Sequence, residues 1–382
     1  MSNLEQVIRN LFREGMDENE IKNALLKFSE YDVKEEFPFN LYPERTVFGK
    51  KYMSNDIKGE KTKAYFVYKA LTIEGKDVES DRNSSSFDPD NSTGKCDFTK
   101  DIYSQLWGFT YKYGCFGEID CFQEVDGKKI LFGGDCLNSL QTSIFSASKI
   151  GKVTCLKKMA ENEENFLKEM NNSPIASMFS VSHAPGNFCL VPAYFNGFRG
   201  MNKEIKDYFP QSLKYLMLDN VKFSTTERLE AYTRNSKFKD GRAKDYFQDY
   251  SSNMFKKYIN TMFLWDLIAY RNNHELYVVD YSGKEIIDTN SAYYEKCLAD
   301  WACGAKRFIR RRGIFMAAML YASFMPDDDD FETIKEEIYT DDDIIVDDKY
   351  GYEGVFMLLE KKVKNDKIKK VLGLAKEMIM EI

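Results

Sequence analysis

Long stretches of helical apolar spacing in the second half constrain the fold of this 382-residue chain most strongly. Hydrophobic residues recur with the 3.6-residue period at 243–271, at 293–325 and at 354–380, where lysines occupy the opposite face. In the first half, the segments 119–125 and 128–132 flank the Asp126-Gly127 pair, which is typical of a β-hairpin. The sequence therefore predicts an α+β fold, in which a strand-containing region is followed by a mostly helical C-terminal half.

The N-terminal residues have the pattern of two short helices. Gly15 separates apolar residues with helical spacing, and Asp17 followed by Glu20 resembles a capping box. A DNA-reading helix-turn-helix would present basic or amide side chains on its second helix, whereas Glu18 and Glu20 begin this one. We therefore expect a helical hairpin that docks on another protein or dimerises.

Charge and helical pattern together divide the chain into three parts. Residues 327–348 hold twelve acidic residues and one lysine, although the whole chain has a net charge of only −7, so the remainder is mildly basic. Such an acidic segment is typical of a solvated face or a disordered tail, and the alternative is an internal counter-charge that covers a basic surface. The expected parts are an N-terminal helical hairpin at 1–30, a main α+β domain at 31–325, and the acidic segment with a C-terminal helix at 326–382.

Composition is that of a folded cytoplasmic protein. Hydrophobic residues make up 43% of the chain, yet no apolar run approaches the roughly 18 residues of a membrane span. The first residues lack the pattern of a signal peptide, so we expect a soluble protein that does not contact membranes. The eight cysteines do not have zinc-site spacing, and only two histidines are present, which predicts reduced cysteines and no metal site.

Two features predict contacts with anions. Arg199 lies between Gly197 and Gly200, an arrangement that presents the guanidinium fork to a phosphate or carboxylate, unless the arginine pairs with Asp207 or another acid. A helical segment carries five further basic residues that would form a surface for nucleic-acid phosphates. Their alternative partners are the aspartates at 327–330. The five residues are Lys306, Arg307, Arg310, Arg311 and Arg312.

The loop that begins at His183 resembles part of a nuclease motif. His183, the Pro185-Gly186-Asn187 turn, a short apolar strand and then Asn196 have the spacing of the second half of an HNH-type nuclease. That resemblance makes His183, Asn187 and Asn196 candidate catalytic residues around one divalent cation, with the histidine activating water. The acidic-His dipeptide expected upstream is absent. The alternative is a structural loop in which Asn187 and Asn196 cap backbone groups.

A second resemblance covers more of the chain, from about Phe87 to Phe324. The strings GNFCLVPAYFNGFRG, DYFPQSLKYL, YINTMFLWDLI and FGGDCLNSLQTS resemble a family of uncharacterised bacterial proteins with a G-N-F-x-x-V-P-x-x-F-N-x-x-R loop. The chain departs from the family pattern at Pro210-Gln211. The resemblance implies that the family loop includes Asn187, Pro192, Asn196 and Arg199, and it implies no established activity.

Three functional hypotheses follow. The first is a bacterial protein that engages nucleic acid or another polyanion in phage or stress defence, through Arg199 and the basic helix. The second is a non-catalytic module that binds another protein through the N-terminal hairpin or the acidic segment. The third is an atypical metal-dependent nuclease built on His183, the only one of the three that requires a cofactor. Whether the chain is an enzyme stays open at this point.

Overall fold

The structure is a computed structural model that describes about half of the chain. The candidate residues His183, Asn196 and Arg199 lie outside the described residues. The described residues are 3–30, 97–107, 110–113, 119–125, 128–138, 174–179, 181, 184–192, 209–222, 252–271, 275–287, 298–325, 331, 335 and 349–382.

Helices dominate the described residues and strands are concentrated between 110 and 192. The helices are α1 (Asn3–Leu11), α2 (Glu18–Ser29), α3 (Asp97–Trp107), α4 (Pro174–Phe179), α5 (Phe209–Lys222), α6 (Ser252–Met262), α7 (Leu298–Ser323), α8 (Gly351–Lys362) and α9 (Asp366–Glu381), with short 3-10 turns at Pro185–Asn187 and Trp265–Leu267. The strands are β1 (Thr110–Tyr113), β2 (Ile119–Val125), β3 (Lys128–Cys136), β4 (Phe188–Pro192), β5 (Ile268–Tyr270) and β6 (Leu276–Val278).

Strands β1 to β4 form one antiparallel sheet in the order of the sequence. Val125 lies opposite Lys128, so two residues connect β2 and β3, as the Asp-Gly pair predicted. The partner of β3 on its other side is β4, with Gly134 opposite Leu190. Together with the helices that follow, this sheet confirms the predicted α+β fold and its mostly helical C-terminal half.

The N-terminal hairpin begins and ends at the residues that the sequence indicated. Gly15 has a φ of +81°, the left-handed conformation that glycine adopts at low cost. The Asp17 side chain accepts a hydrogen bond from the Glu20 backbone, and the Glu20 side chain accepts one from the Asp17 backbone, both at 2.9 Å. The predicted capping box is thus confirmed.

Helix α7 lies at the centre of the hydrophobic core. It contacts α2, α3, α4 and α9, and Trp301 and Phe315 on it are fully buried. At Gly313 a Cβ atom would lie 2.7 Å from the Ser29 Cα, so the glycine permits α2 to cross α7 closely. Buried residues of the hairpin, of α7 and of the C-terminal helices belong to one hydrophobic cluster. The apolar face of the hairpin is therefore covered by this chain itself.

Two predicted helices are divided in the structure. In the described part of 243–271, only α6 is an α-helix. A 3-10 turn and strand β5 follow it. The pattern at 354–380 forms two helices, because the Asn365 side chain accepts hydrogen bonds from the Lys367 and Ile368 backbones and starts α9. Among the described helices, none combines the length and the apolar character needed to cross a membrane.

Candidate functional site

Asn187, a candidate catalytic residue, lies in the turn before β4 and is fully buried. Its side-chain oxygen accepts hydrogen bonds from the Asn138 backbone (3.0 Å) and side chain (3.2 Å), and its amide nitrogen donates to the Asn138 carbonyl (3.1 Å). Tyr281 donates in turn to the Asn138 side chain, at 2.6 Å. The side chain of Asn187 thus continues the pairing of β3 with β4. This geometry is that of the backbone-capping alternative, with the amide buried against Asn138.

Close packing explains why residue 186 is a glycine. A Cβ atom at this position would lie 1.9 Å from the Ile309 carbonyl oxygen of α7, which no side chain could accommodate without backbone movement. The Pro185–Asn187 turn therefore rests directly on the central helix. In the described part of this loop, Gly186 permits close packing on α7 and Asn187 hydrogen-bonds to Asn138.

Arg312 is one of the five predicted anion contacts, and it is fully buried. Its guanidinium donates to the carbonyl of Met262 (3.0 and 2.7 Å), to the carbonyls of Gly186 and Phe188, and to the Tyr103 hydroxyl (2.6 Å). The side chain follows the buried face of α7 and reaches the turn before β4. The prediction that it contacts an external phosphate is corrected, because its donors are directed to oxygen atoms inside the core.

The other four basic residues of α7 also have partners within the chain. Lys306 donates to the Ser177 hydroxyl, and exposed Arg307 donates to the Tyr281 carbonyl at 2.8 Å. The carboxylate partners of this cluster come from two other elements. Arg310 pairs with Glu30 at the end of α2, and Arg311 pairs with Asp266 at 2.8 Å. The aspartates at 327–330, which were the alternative partners, lie outside the described residues.

Asp266 lies in a polar cluster between α7 and α8. Burial raises the pKa of its carboxyl above the ordinary value, and the opposing effect of Arg311 does not cancel this. Its Oδ2 atom has no hydrogen-bond donor among the described residues. The Arg311 guanidinium lies 5.1 Å from the Tyr352 ring centroid, and burial raises the pKa of the Tyr352 hydroxyl well above its usual range.

Within the described residues, the most exposed concentration of positive charge lies elsewhere, at the junction of α8 and α9. Between positions 361 and 370 there are six exposed lysines and one acidic residue, Asp366. Buried Val363 and Ile368 anchor this stretch to the core. The run KKVKNDKIKK could have indicated the surface, but helical spacing assigned its lysines only to an outer face. We call these residues the lysine surface: Lys361, Lys362, Lys364, Lys367, Lys369 and Lys370.

In the described part of the chain, no group of three or more His, Cys, Asp or Glu residues is placed to hold a metal ion. His183 and Asn196, the other members of the suggested nuclease motif, are outside that part, as is Arg199. Their roles stay predictions.

Comparison with known proteins gives no relative: no family model, no curated protein and no solved structure matches this chain.

Proposed function

We propose that this protein binds nucleic acid through the phosphate backbone, with the lysine surface as the main contact. The observation that carries the proposal is the exposure of all six lysines within ten residues that contain a single acid. Lysine ammonium groups are compact, hydrated charges that contact phosphates without reading base sequence. We therefore expect affinity that depends strongly on salt and weakly on sequence.

The location differs from the one that the sequence favoured. On α7 the guanidinium groups of Arg310 and Arg311 pair with carboxylates, and their side chains are only 31% and 21% exposed. On the lysine surface, Lys367 pairs with Glu14, but both side chains are largely exposed (63% and 88%). Exposed ion pairs contribute little, so a phosphate can replace such a partner at small cost. Arg199 is a further proposed contact.

A salt titration tests the proposal. Binding of fluorescent duplex DNA and single-stranded RNA is measured by anisotropy at several salt concentrations, for the protein and for the triple variant Lys362→Gln, Lys369→Gln, Lys370→Gln. If these lysines bind phosphates of the duplex, the log–log slope of affinity against salt becomes shallower by about 0.9 for each phosphate that is no longer neutralised. Arg199→Gln, measured in the same way, tests the proposed role of the loop.

The matched control removes three exposed lysines from other parts of the surface, Lys27, Lys284 and Lys349, also as glutamines. We expect this control to bind nearly as the unmodified protein does. Equal reductions in affinity in the two triple variants, or no salt-sensitive binding at all, would contradict the proposal. Binding of heparin alone would show a different polyanion as the ligand and would also overturn it. The role in phage or stress defence and the His183 nuclease stay predictions from the sequence resemblances.

A further inference from the structure

Ser177 and Lys306 lie in contact although they are 129 positions apart in the sequence. Ser177 belongs to α4, which packs against α7, and the Lys306 ammonium of α7 donates a hydrogen bond to the Ser177 hydroxyl. Both side chains are half-buried. Cys303, one turn before Lys306 on α7, is exposed, so this side of the helix reaches solvent.

The surroundings of Lys306 favour its neutral form. Glu30, the nearby carboxylate, pairs with Arg310 one turn along α7. Lys306 is therefore left with a neutral hydroxyl as its hydrogen-bond partner and a like charge beside it. Burial, and next the charge of Arg310, lower the pKa of Lys306 below the ordinary lysine value, with Glu30 and Cys303 opposing them. A lysine with a lowered pKa can accept a proton from a nucleophile.

We propose that Ser177 and Lys306 form a serine–lysine pair that hydrolyses carboxylic esters, with Ser177 as the nucleophile and Lys306 as the general base. A nucleophile in hydrogen-bond contact with a base is the geometric requirement of covalent acyl transfer, and serine–lysine pairs meet it without histidine. The proposal is independent of nucleic-acid binding, because the two sites share no residue.

The reaction balances with water as the only co-substrate. Neutral Lys306 takes the hydroxyl proton as the Ser177 Oγ atom bonds to the ester carbonyl carbon. Collapse of the tetrahedral intermediate breaks the bond to the leaving alkoxide, which receives the proton from Lys306 and departs as the alcohol. A water molecule then attacks the acyl-serine and passes one proton to Lys306. The acid is released, and Ser177 regains its proton.

A fluorophosphonate probe tests the nucleophile on the full chain. In the expected reaction the Ser177 oxygen displaces fluoride from phosphorus, and mass spectrometry locates the adduct on Ser177. Ser177→Ala is expected to abolish the adduct. The control Ser282→Ala, in an exposed turn, is expected to leave it unchanged. An adduct only at other residues, or no adduct on the folded chain, would overturn the proposal.

The base is tested by Lys306→Arg, which keeps a charged hydrogen-bond donor but cannot release its proton in the working pH range. The rate of adduct formation is expected to fall about 100-fold or more, whereas exposed Lys284→Arg leaves it unchanged. Lys306→Arg reacting as fast as the unmodified chain would show a merely structural contact. Hydrolysis of p-nitrophenyl acetate should rise with pH and level off below the ordinary lysine pKa of 10.5, and a profile without this rise would also contradict the base role.

Discussion

Arg312 joins three separate parts of the chain to the central helix. Its donors reach the end of α6 at Met262, the turn before β4 at Gly186, β4 itself at Phe188, and α3 at Tyr103. These acceptors are carbonyl and hydroxyl oxygens, so the hydrogen bonds of the buried charge go to dipoles rather than to a carboxylate. A buried charge is costly unless its hydrogen bonds are complete, which makes the site sensitive to small changes.

Replacing Arg312 by lysine should therefore destabilise the protein strongly. Lysine has one nitrogen and cannot reach acceptors on three sides, so we expect the free energy of unfolding to fall by about 3 kcal/mol or more. Urea unfolding followed by circular dichroism measures the change. The exposed Arg307→Lys is the control and should stay within about 0.5 kcal/mol. Similar destabilisation of both variants would show that the buried hydrogen bonds of Arg312 do not decide stability.

The sequence could not show that Arg312 is buried whereas Arg310 and Arg311 are partly exposed. The three residues have the same chemistry and stand next to each other, and helical spacing alone left their orientation uncertain. The packing of α3, α6 and β4 around one side of α7 decides which guanidinium enters the core. The same packing explains Gly186, since only the position of Ile309 shows why a side chain is excluded there.

Among the elements, α2 was predictable because its start depends on two residues close together in the sequence. Asp17 and Glu20 exchange hydrogen bonds with each other's backbone, which requires nothing from the rest of the fold. Helix α9 uses a similar local cap at Asn365. Because that cap lies within a continuous helical apolar pattern, the pattern predicted one helix and not the break between α8 and α9.

Removal of the cap of α2 is expected to have a modest effect. Asp17→Ala leaves the Glu20 backbone amide without its acceptor and should lower the free energy of unfolding by about 1 kcal/mol. Asp17→Asn keeps a good capping oxygen and should cost clearly less. Thermal or urea unfolding of the two variants compares them directly. An alanine variant as stable as the asparagine variant would mean that packing against α7 holds this helix end without the cap.

At the end of α6, by contrast, the local sequence does not predict where the helix stops. The apolar residues after Met262 continue to fit a helical pattern, yet Phe263 adopts a φ of +53°, a conformation that is costly for a bulky residue. Its ring packs against Trp107, Trp265 and Phe315, with centroids 5.0 to 5.8 Å away. Trp107 and Phe315 are distant in the sequence and help to stabilise the turn, so periodicity within 243–271 could not reveal it.

In the molecule as a whole, α7 brings together ionisable groups from elements that are distant in the sequence. Asp266 precedes β5, Arg311 lies on α7, and Tyr352 lies on α8. Because burial raises the pKa of Asp266, the folded state holds its proton more tightly than the unfolded state does. By linkage, the contribution of this group to stability falls as pH rises from the ordinary value of 3.8 through the raised folded pKa.

The pH dependence of Asp266→Asn tests this sign. The variant lacks the titrating group, so the free energy of unfolding of the unmodified chain minus that of Asp266→Asn should decrease as pH rises through this window. Urea unfolding at a series of pH values from about 3.8 upward measures the difference. A difference that grows with pH would mean that the ion pair with Arg311 outweighs burial and lowers the pKa instead.

The amino-acid sequence alone was sufficient for the features that neighbouring residues create: the α+β class, the hairpin between β2 and β3, and the capping box of α2. Such features depend on contacts over a few residues. The tertiary structure was needed to show that Asn187 and Arg312 face the interior and that Lys306 contacts Ser177. These outcomes depend on contacts between residues that are distant in the sequence. A local pattern does not indicate which distant groups will cover or contact a side chain.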